Sequence, residues 1–100
     1  MTAARATFLI PTWNRAALLR RAIASVLSQP SADSGAIEVV VVDDGSTDRS
    51  KEICDKLAKD HSNVRAVHHE TNLGRSYAIR TGFQQAKGEI VIIMDADRQY

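Results

Sequence analysis

Asp95 and Asp97 stand one residue apart, directly after the apolar run Ile90-Val91-Ile92-Ile93-Met94. Two carboxylates at the end of a buried strand are costly unless something positive sits between them. A hard divalent cation that also holds a phosphate is the natural counter-charge. On a strand, positions i and i+2 share a face, so both side chains could grip one ion. Aspartate is also common in turns and helix caps, so this pair alone leaves both readings open.

Three further clusters contain residue types suited to the same task. Asp43-Asp44-Gly45-Ser46 follows the near-continuous β-branched run Ile37 to Val42. One of its carboxylates can accept hydrogen bonds from the following turn and helix N-terminus. The other is then free for the N–H donors of a base or the hydroxyls of a ribose, and the pattern does not say which is which. Pro11-Thr12-Trp13-Asn14-Arg15 follows the first apolar run. It has no glycine and so is not a Gly-rich dinucleotide fingerprint. Trp13 could stack on a base or cover the sheet, and Arg15 could approach a phosphate. In Asn72-Leu73-Gly74-Arg75, Gly74 suggests a special backbone dihedral. Arg75 at a helix N-terminus opposes the dipole, and a nearby anion would explain it. His61, His68, His69 and Glu70 match no strong zinc pattern and read as solvated loop and strand-end residues. Cys54 reads as core.

These clusters need a scaffold, and the chain alternates apolar runs with helical periodicity. Strands are expected at Ala6 to Ile10, Ile37 to Val42, Val64 to His68 and Glu89 to Met94. Helices are expected at Asn14 to Gln29, Thr47 to Lys59 and Arg75 to Ala86. Asn14 or Thr12 would cap the first, and Ser46 or Thr47 the second. The third carries Ala78, Ile79, Phe83 and Ala86 as its apolar stripe. The order βαβαβαβ implies an α/β, Rossmann-like parallel sheet of four strands with helices on both faces. Right-handed crossovers leave few topologies, and among them the strand order 3-2-1-4 is expected, with strands 1 and 4 flanking the switch point. Ligands in such sheets bind beyond the carboxyl ends of the strands, near the point where the order reverses. Three of the clusters fall on those ends.

One hundred residues make one domain at most. The net charge of +1 gives no reason to expect nucleic-acid binding. A single cysteine excludes an internal disulfide framework. No apolar run is long enough to span a bilayer, and the N-terminus lacks a signal-peptide core. The expectation is a soluble, cytoplasmic chain, compatible with membrane association of the full-length protein.

Phe8-Leu9-Ile10-Pro11-Thr12-Trp13-Asn14, Val40-Val41-Val42-Asp43-Asp44-Gly45-Ser46-Thr47-Asp48, Asn72-Leu73-Gly74 and Met94-Asp95-Ala96-Asp97 resemble, in order and distance, the four landmarks of family 2 glycosyltransferases with the GT-A fold. The resemblance spans essentially the whole chain. It implies the N-terminal, nucleotide-sugar-binding half of that fold, taking a UDP- or GDP-sugar. It implies that the Pro11 loop and Asp44 hold the base and that Asp43 supports the pocket. Asp95 would border the ribose and diphosphate beside Ala96, and Asp97 would be the principal metal ligand. Mg²⁺ or Mn²⁺ would neutralise the diphosphate as it leaves.

Asn72-Leu73-Gly74-Arg75, Arg80-Thr81-Gly82-Phe83 and Asp95-Ala96-Asp97-Arg98-Gln99 look closer still to the polyprenyl-phosphate sugar transferases, including dolichol-phosphate mannose synthases. In that branch the glutamine two residues beyond the second Asp can join the metal site, which makes Gln99 a candidate. A polyprenyl phosphate is then the candidate acceptor. Arg15 stands where an acidic residue is common, and Arg98 where a neutral one is usual.

The acceptor site and general base of the family lie well beyond the metal motif. No residue in this chain matches the base, which is therefore expected beyond Tyr100. No catalytic residue is assigned within the chain. The expectation is a donor-binding half-domain without the acceptor half. The alternative is a module that binds a nucleotide or nucleotide-sugar without turnover. The strand order also makes the Ile90 to Met94 strand an edge, and a long apolar edge invites pairing of two copies.

Overall fold

A computed structural model of the chain describes residues 5–28 and 36–94. The elements alternate as expected: β1 (Ala6–Thr12), α1 (Ala16–Leu27), β2 (Ile37–Asp44), α2 (Ser50–Asp60), β3 (Val64–His69), α3 (Arg75–Gln85) and β4 (Ile90–Ile93). The four strands are parallel and lie in the order β3-β2-β1-β4.

β2 is buried along its whole length because both of its faces are covered. Val39 and Val41 join Ile10 of β1 against Leu19, Ile23 and Val26 of α1 and Ile53 and Cys54 of α2. Val40 and Val42 point the other way, onto Ala78 of α3. Two helices thus cover one face and a single helix covers the other. α3 is seated through small residues, Ala78 and Gly82, one turn apart. The expected apolar stripe of α3 is only partly used, and Phe83 stays half exposed.

β1 continues two residues beyond the expected stop at Pro11. Leu9 accepts a hydrogen bond from the Met94 N–H at 2.9 Å, on the β4 side. Pro11 faces the same way by strand alternation, past the last paired position of β4, so its missing N–H breaks no ladder bond.

The other end of the sheet is fastened by polar groups. Glu38 is buried and accepts from Thr7 Oγ1 and the Lys87 N–H, both at 2.5 Å, and from Arg65 Nη2 at 2.8 Å. Arg65 also donates to the Gln85 carbonyl, and the Gly88 N–H donates to Thr7 Oγ1 at 2.9 Å. Burial pushes the Glu38 carboxyl up, but the Thr7, Lys87 and Arg65 donors outweigh it and hold it below its ordinary value. This network binds the segment after α3 to the starts of β1, β2 and β3.

Cys54 is buried under α2, and burial, reinforced by Asp43, Asp55 and Asp48, pushes its thiol up to about 12. Among the described residues β4 is an edge strand, with Ile90, Ile92 and Ile93 exposed. Among the described residues no helix is long and apolar enough to cross a membrane.

Candidate functional site

A cavity of about 290 Å³ opens at the carboxyl ends of β1 and β2, over the N-terminus of α3. It is lined by Pro11, Thr12, Trp13, Asp44, Asn72, Gly74, Arg75 and Ala78. Five residues expected from the sequence therefore meet in one place: Pro11, Trp13, Asp44, Gly74 and Arg75. The size is at the lower end for small-molecule sites, and the mixture of apolar walls with a few polar groups suits one. Trp13 is half exposed at the rim and offers a flat face for stacking.

Asp44 is held from three directions. Its Oδ2 accepts the Gly74 N–H at 2.8 Å, and its Oδ1 accepts the Leu73 N–H at 2.9 Å and His69 Nδ1 at 2.7 Å. Burial raises its affinity for a proton, but the His69, Leu73 and Gly74 donors prevail and keep the carboxyl below its ordinary value. Asp43 fills the turn role: its Oδ1 accepts the Ser46 N–H at 3.1 Å, and its Oδ2 meets His68 Nδ1 at 3.1 Å. The expectation that one of the two carboxylates would be free of protein donors is thus corrected. Both are engaged, and Asp44 is the one on the cavity wall. A carboxylate has about four lone-pair positions, so Asp44, with three donors, retains one.

Gly74 precedes α3 with φ 102° and ψ 158°, a conformation almost confined to glycine. It turns two consecutive N–H groups onto Asp44. Gly45 has φ 75°, and a Cβ there would lie 2.4 Å from Asn72 N and Thr71 C. The loop after β2 therefore touches backbone of the loop before α3, which closes one side of the cavity.

The first two loops are stapled together. Asn14 adopts φ 49°, which its short polar side chain tolerates. Its N–H donates to Ser46 Oγ at 2.9 Å, and its Oδ1 accepts the N–H groups of Thr47 at 2.7 Å and Asp48 at 3.2 Å. Asp48 in turn accepts from the N–H of Ala16 at 3.3 Å and of Ser50 at 2.8 Å, the first residues of α1 and α2. The expected caps Asn14, Thr12, Ser46 and Thr47 are thus replaced by one aspartate serving both helices, and each helix starts two or three residues later than expected. Burial raises the Asp48 carboxyl, but the Ser50 and Ala16 donors outweigh it and leave it lowered overall.

Arg15 and Asp43, expected beside the ligand, are not lining residues. The Arg15 guanidinium donates to the Asn14 carbonyl at 3.2 Å. Asp95, Ala96, Asp97 and Gln99 lie outside the described residues. Tyr100, beyond which the general base is expected, lies outside them as well. Met94, immediately before this segment, is bonded to Leu9 near the cavity end of the sheet.

Sequence reasoning missed Thr12, Asn72 and Ala78 as lining residues, although Thr12 and Asn72 stand inside the quoted motifs. The Thr12 hydroxyl is buried without a partner among the described residues. Sequence reasoning also read His68 and His69 as solvated. Parallel pairing places His68 beside Asp43 and His69 beside Asp44, and both rings are largely covered. Two adjacent histidines ending a strand next to two adjacent aspartates were the available signal.

Residues 7–100 match the family described as glycosyl transferase family 2. The chain is 44% identical over 96 residues to the undecaprenyl-phosphate 4-deoxy-4-formamido-L-arabinose transferase of Pseudomonas aeruginosa, covering 91% of this chain and 27% of that protein. Among solved structures it is similar to the mannosyltransferase PcManGT from Pyrobaculum calidifontis in complex with GDP-Man and Mn²⁺, with a TM-score of 0.83 and 32% identity over 97% of this chain and 28% of that one. It is also similar to residues 1–349 of S. aureus TarS in complex with UDP-GlcNAc, with a TM-score of 0.78 and 30% identity over 93% of this chain and 26% of that one. The chain thus spans less than a third of the relatives it matches. A parallel sheet in the order β3-β2-β1-β4, a cavity at the carboxyl ends of β1 and β2, and a match over nearly every residue lead to one assignment: the chain belongs to glycosyltransferase family 2, as an N-terminal Rossmann-like portion of its GT-A fold.

Proposed function

We propose that this chain is the donor-binding part of a glycosyltransferase that takes a UDP- or GDP-sugar. The observation that carries the reading is the meeting of Pro11, Trp13, Asp44, Gly74 and Arg75 around one cavity at the strand ends. Pro11 and Trp13 supply the face for a base, and Asp44 supplies a hydrogen-bond acceptor. Arg75, in the first turn of α3, adds positive charge where a helix N-terminus already favours an anion. The GDP-Man and UDP-GlcNAc carried by the two solved relatives support a nucleotide-sugar ligand.

Mg²⁺ or Mn²⁺ is the cofactor of this reading: Asp95-Ala96-Asp97 follow directly on Met94, which is bonded to Leu9 of β1, and Mn²⁺ accompanies GDP-Man in the PcManGT complex. Asp95, Asp97 and Gln99 would hold the ion, with Ala96 beside the nucleotide. The ion would neutralise the diphosphate on departure. The name of the P. aeruginosa relative supports a polyprenyl phosphate as acceptor, and with it a cytoplasmic catalytic portion of a membrane-associated protein. Acceptor binding and the general base are assigned to the parts of such enzymes that this chain does not match.

Calorimetric titration with UDP and GDP, with and without Mn²⁺, tests the donor site. One nucleotide is expected to bind more tightly with the metal, and Asp97→Ala is expected to lose about tenfold of that affinity. Equal metal-dependent binding by wild type and Asp97→Ala would sink the assignment. Sugar transfer by this chain would remove the alternative of a binding module without turnover.

The proposal includes pairing of two copies through β4, whose Ile90, Ile92 and Ile93 are exposed at the sheet edge. Sedimentation is expected to show a dimer that Ile92→Lys weakens. A monomer at high concentration would count against it.

A further inference from the structure

His69 sits where three elements meet. Its Nδ1 lies 2.7 Å from Asp44 Oδ1 on β2, and its Nε2 lies 2.9 Å from Thr81 Oγ1 on α3. Tyr77, one turn before Thr81, packs against the ring edge-to-face with centroids 6.4 Å apart. The ring is therefore fixed on three sides and only 11% exposed. An ionised carboxylate only accepts, so Nδ1 is the nitrogen that donates to Asp44.

The same Asp44 oxygen also accepts the Leu73 N–H, and its other oxygen accepts the Gly74 N–H. Whatever sets the plane of this carboxylate also sets the segment before α3 that lines the cavity. We infer that His69 is a positioning residue: through Nδ1 it orients the Asp44 carboxylate and so tunes the affinity of the cavity for a nucleoside diphosphate. This rests on the nucleotide-sugar reading above.

His68 provides an internal comparison. It makes the equivalent contact with Asp43 at 3.1 Å, and its Nε2 meets Asp55 Oδ1 of α2 at 2.7 Å. Neither Asp43 nor His68 lines the cavity. Two adjacent histidines thus brace two adjacent aspartates on opposite faces of the sheet, and one brace alone leads to the ligand side.

The test is titration of UDP and GDP in the presence of Mn²⁺, with thermal stability recorded for each variant. His69→Ala is expected to weaken binding about tenfold, the scale of one lost hydrogen bond to a charged group. His69→Asn, whose amide nitrogen falls near the place of Nδ1, is expected to restore most of the affinity. His69→Gln, whose amide reaches toward the Nε2 side, is not. His68→Ala is expected to lower stability while leaving affinity close to wild type. A role in packing alone would make His69→Asn and His69→Gln equivalent, and that equivalence would overturn the inference. Wild-type affinity in His69→Ala would overturn it as well, while the nucleotide reading would stand. Absence of binding by wild type would remove that reading and the inference together. Should His69→Ala fail to fold, the Asn and Gln pair still decides.

Discussion

Gly45→Ala is expected to lower the unfolding free energy by about 2–5 kcal/mol and to abolish the proposed nucleotide binding with it. Two separate costs combine. At φ 75° any L side chain occupies the left-handed region, which costs roughly 1–2 kcal/mol. The added Cβ would also lie 2.4 Å from Asn72 N and Thr71 C, which are backbone atoms with no rotamer to escape into. Relieving such overpacking typically costs about 1–3 kcal/mol. Relief moves Thr71 and Asn72, and those residues lead into the Leu73 and Gly74 N–H groups that Asp44 holds. Gly74→Ala separates the two terms. A Cβ at Gly74 meets nothing within 4 Å, so only the backbone cost of φ 102° remains. Urea denaturation of both variants checks the argument. A Gly45→Ala loss of no more than about 2 kcal/mol, the backbone cost alone, would remove the loop contact from the explanation.

Glu38→Ala is the second large effect, expected at about 2–4 kcal/mol. It strips the acceptor from Thr7 Oγ1, the Lys87 N–H and Arg65 at once. Arg65 is one-third exposed and recovers part of its loss from water, so most of the cost falls on the more enclosed Thr7 and Lys87 donors. Glu38→Gln keeps the shape and one acceptor oxygen and is expected to cost less. The pH dependence has a definite sign. The folded carboxyl titrates below its ordinary value of 4.5, so its stabilisation is complete above that value. It is lost as pH falls through the lower, folded value. Asp44 and Asp48 are lowered from 3.8 and act in the same direction. Glu38→Gln should therefore lose less stability on acidification than wild type. Parallel pH slopes for the two proteins would contradict this.

The fold was legible because its signals are local and repeated. β2 announced burial on both faces through a near-continuous β-branched run, interrupted only by Glu38, and handedness then restricted the strand order. Element ends were less legible where a partner from another part of the chain decides them. Asn14 has the chemistry of a cap, yet its side chain is taken by the N–H groups of Thr47 and Asp48, more than thirty residues away. In the site, Pro11, Trp13, Asp44, Gly74 and Arg75 were readable because strand ends converge in a parallel sheet. The division of labour between Asp43 and Asp44 came only from the family resemblance, because the pattern itself does not say which sheet face each side chain takes. His68 and His69 depend on the register of β3 against β2, which no single segment encodes.

Cys54 makes the molecule its own recorder of opening events. A thiol pushed up to about 12 leaves roughly one thiolate in ten thousand molecules at pH 8, and the little that forms is enclosed beneath α2. Reagents that trap thiolates must wait until α2 lifts from the sheet, when the group returns toward its ordinary value of 9.0. With one cysteine in the chain, every trapping event reports the same separation, and its rate follows how often that layer comes apart.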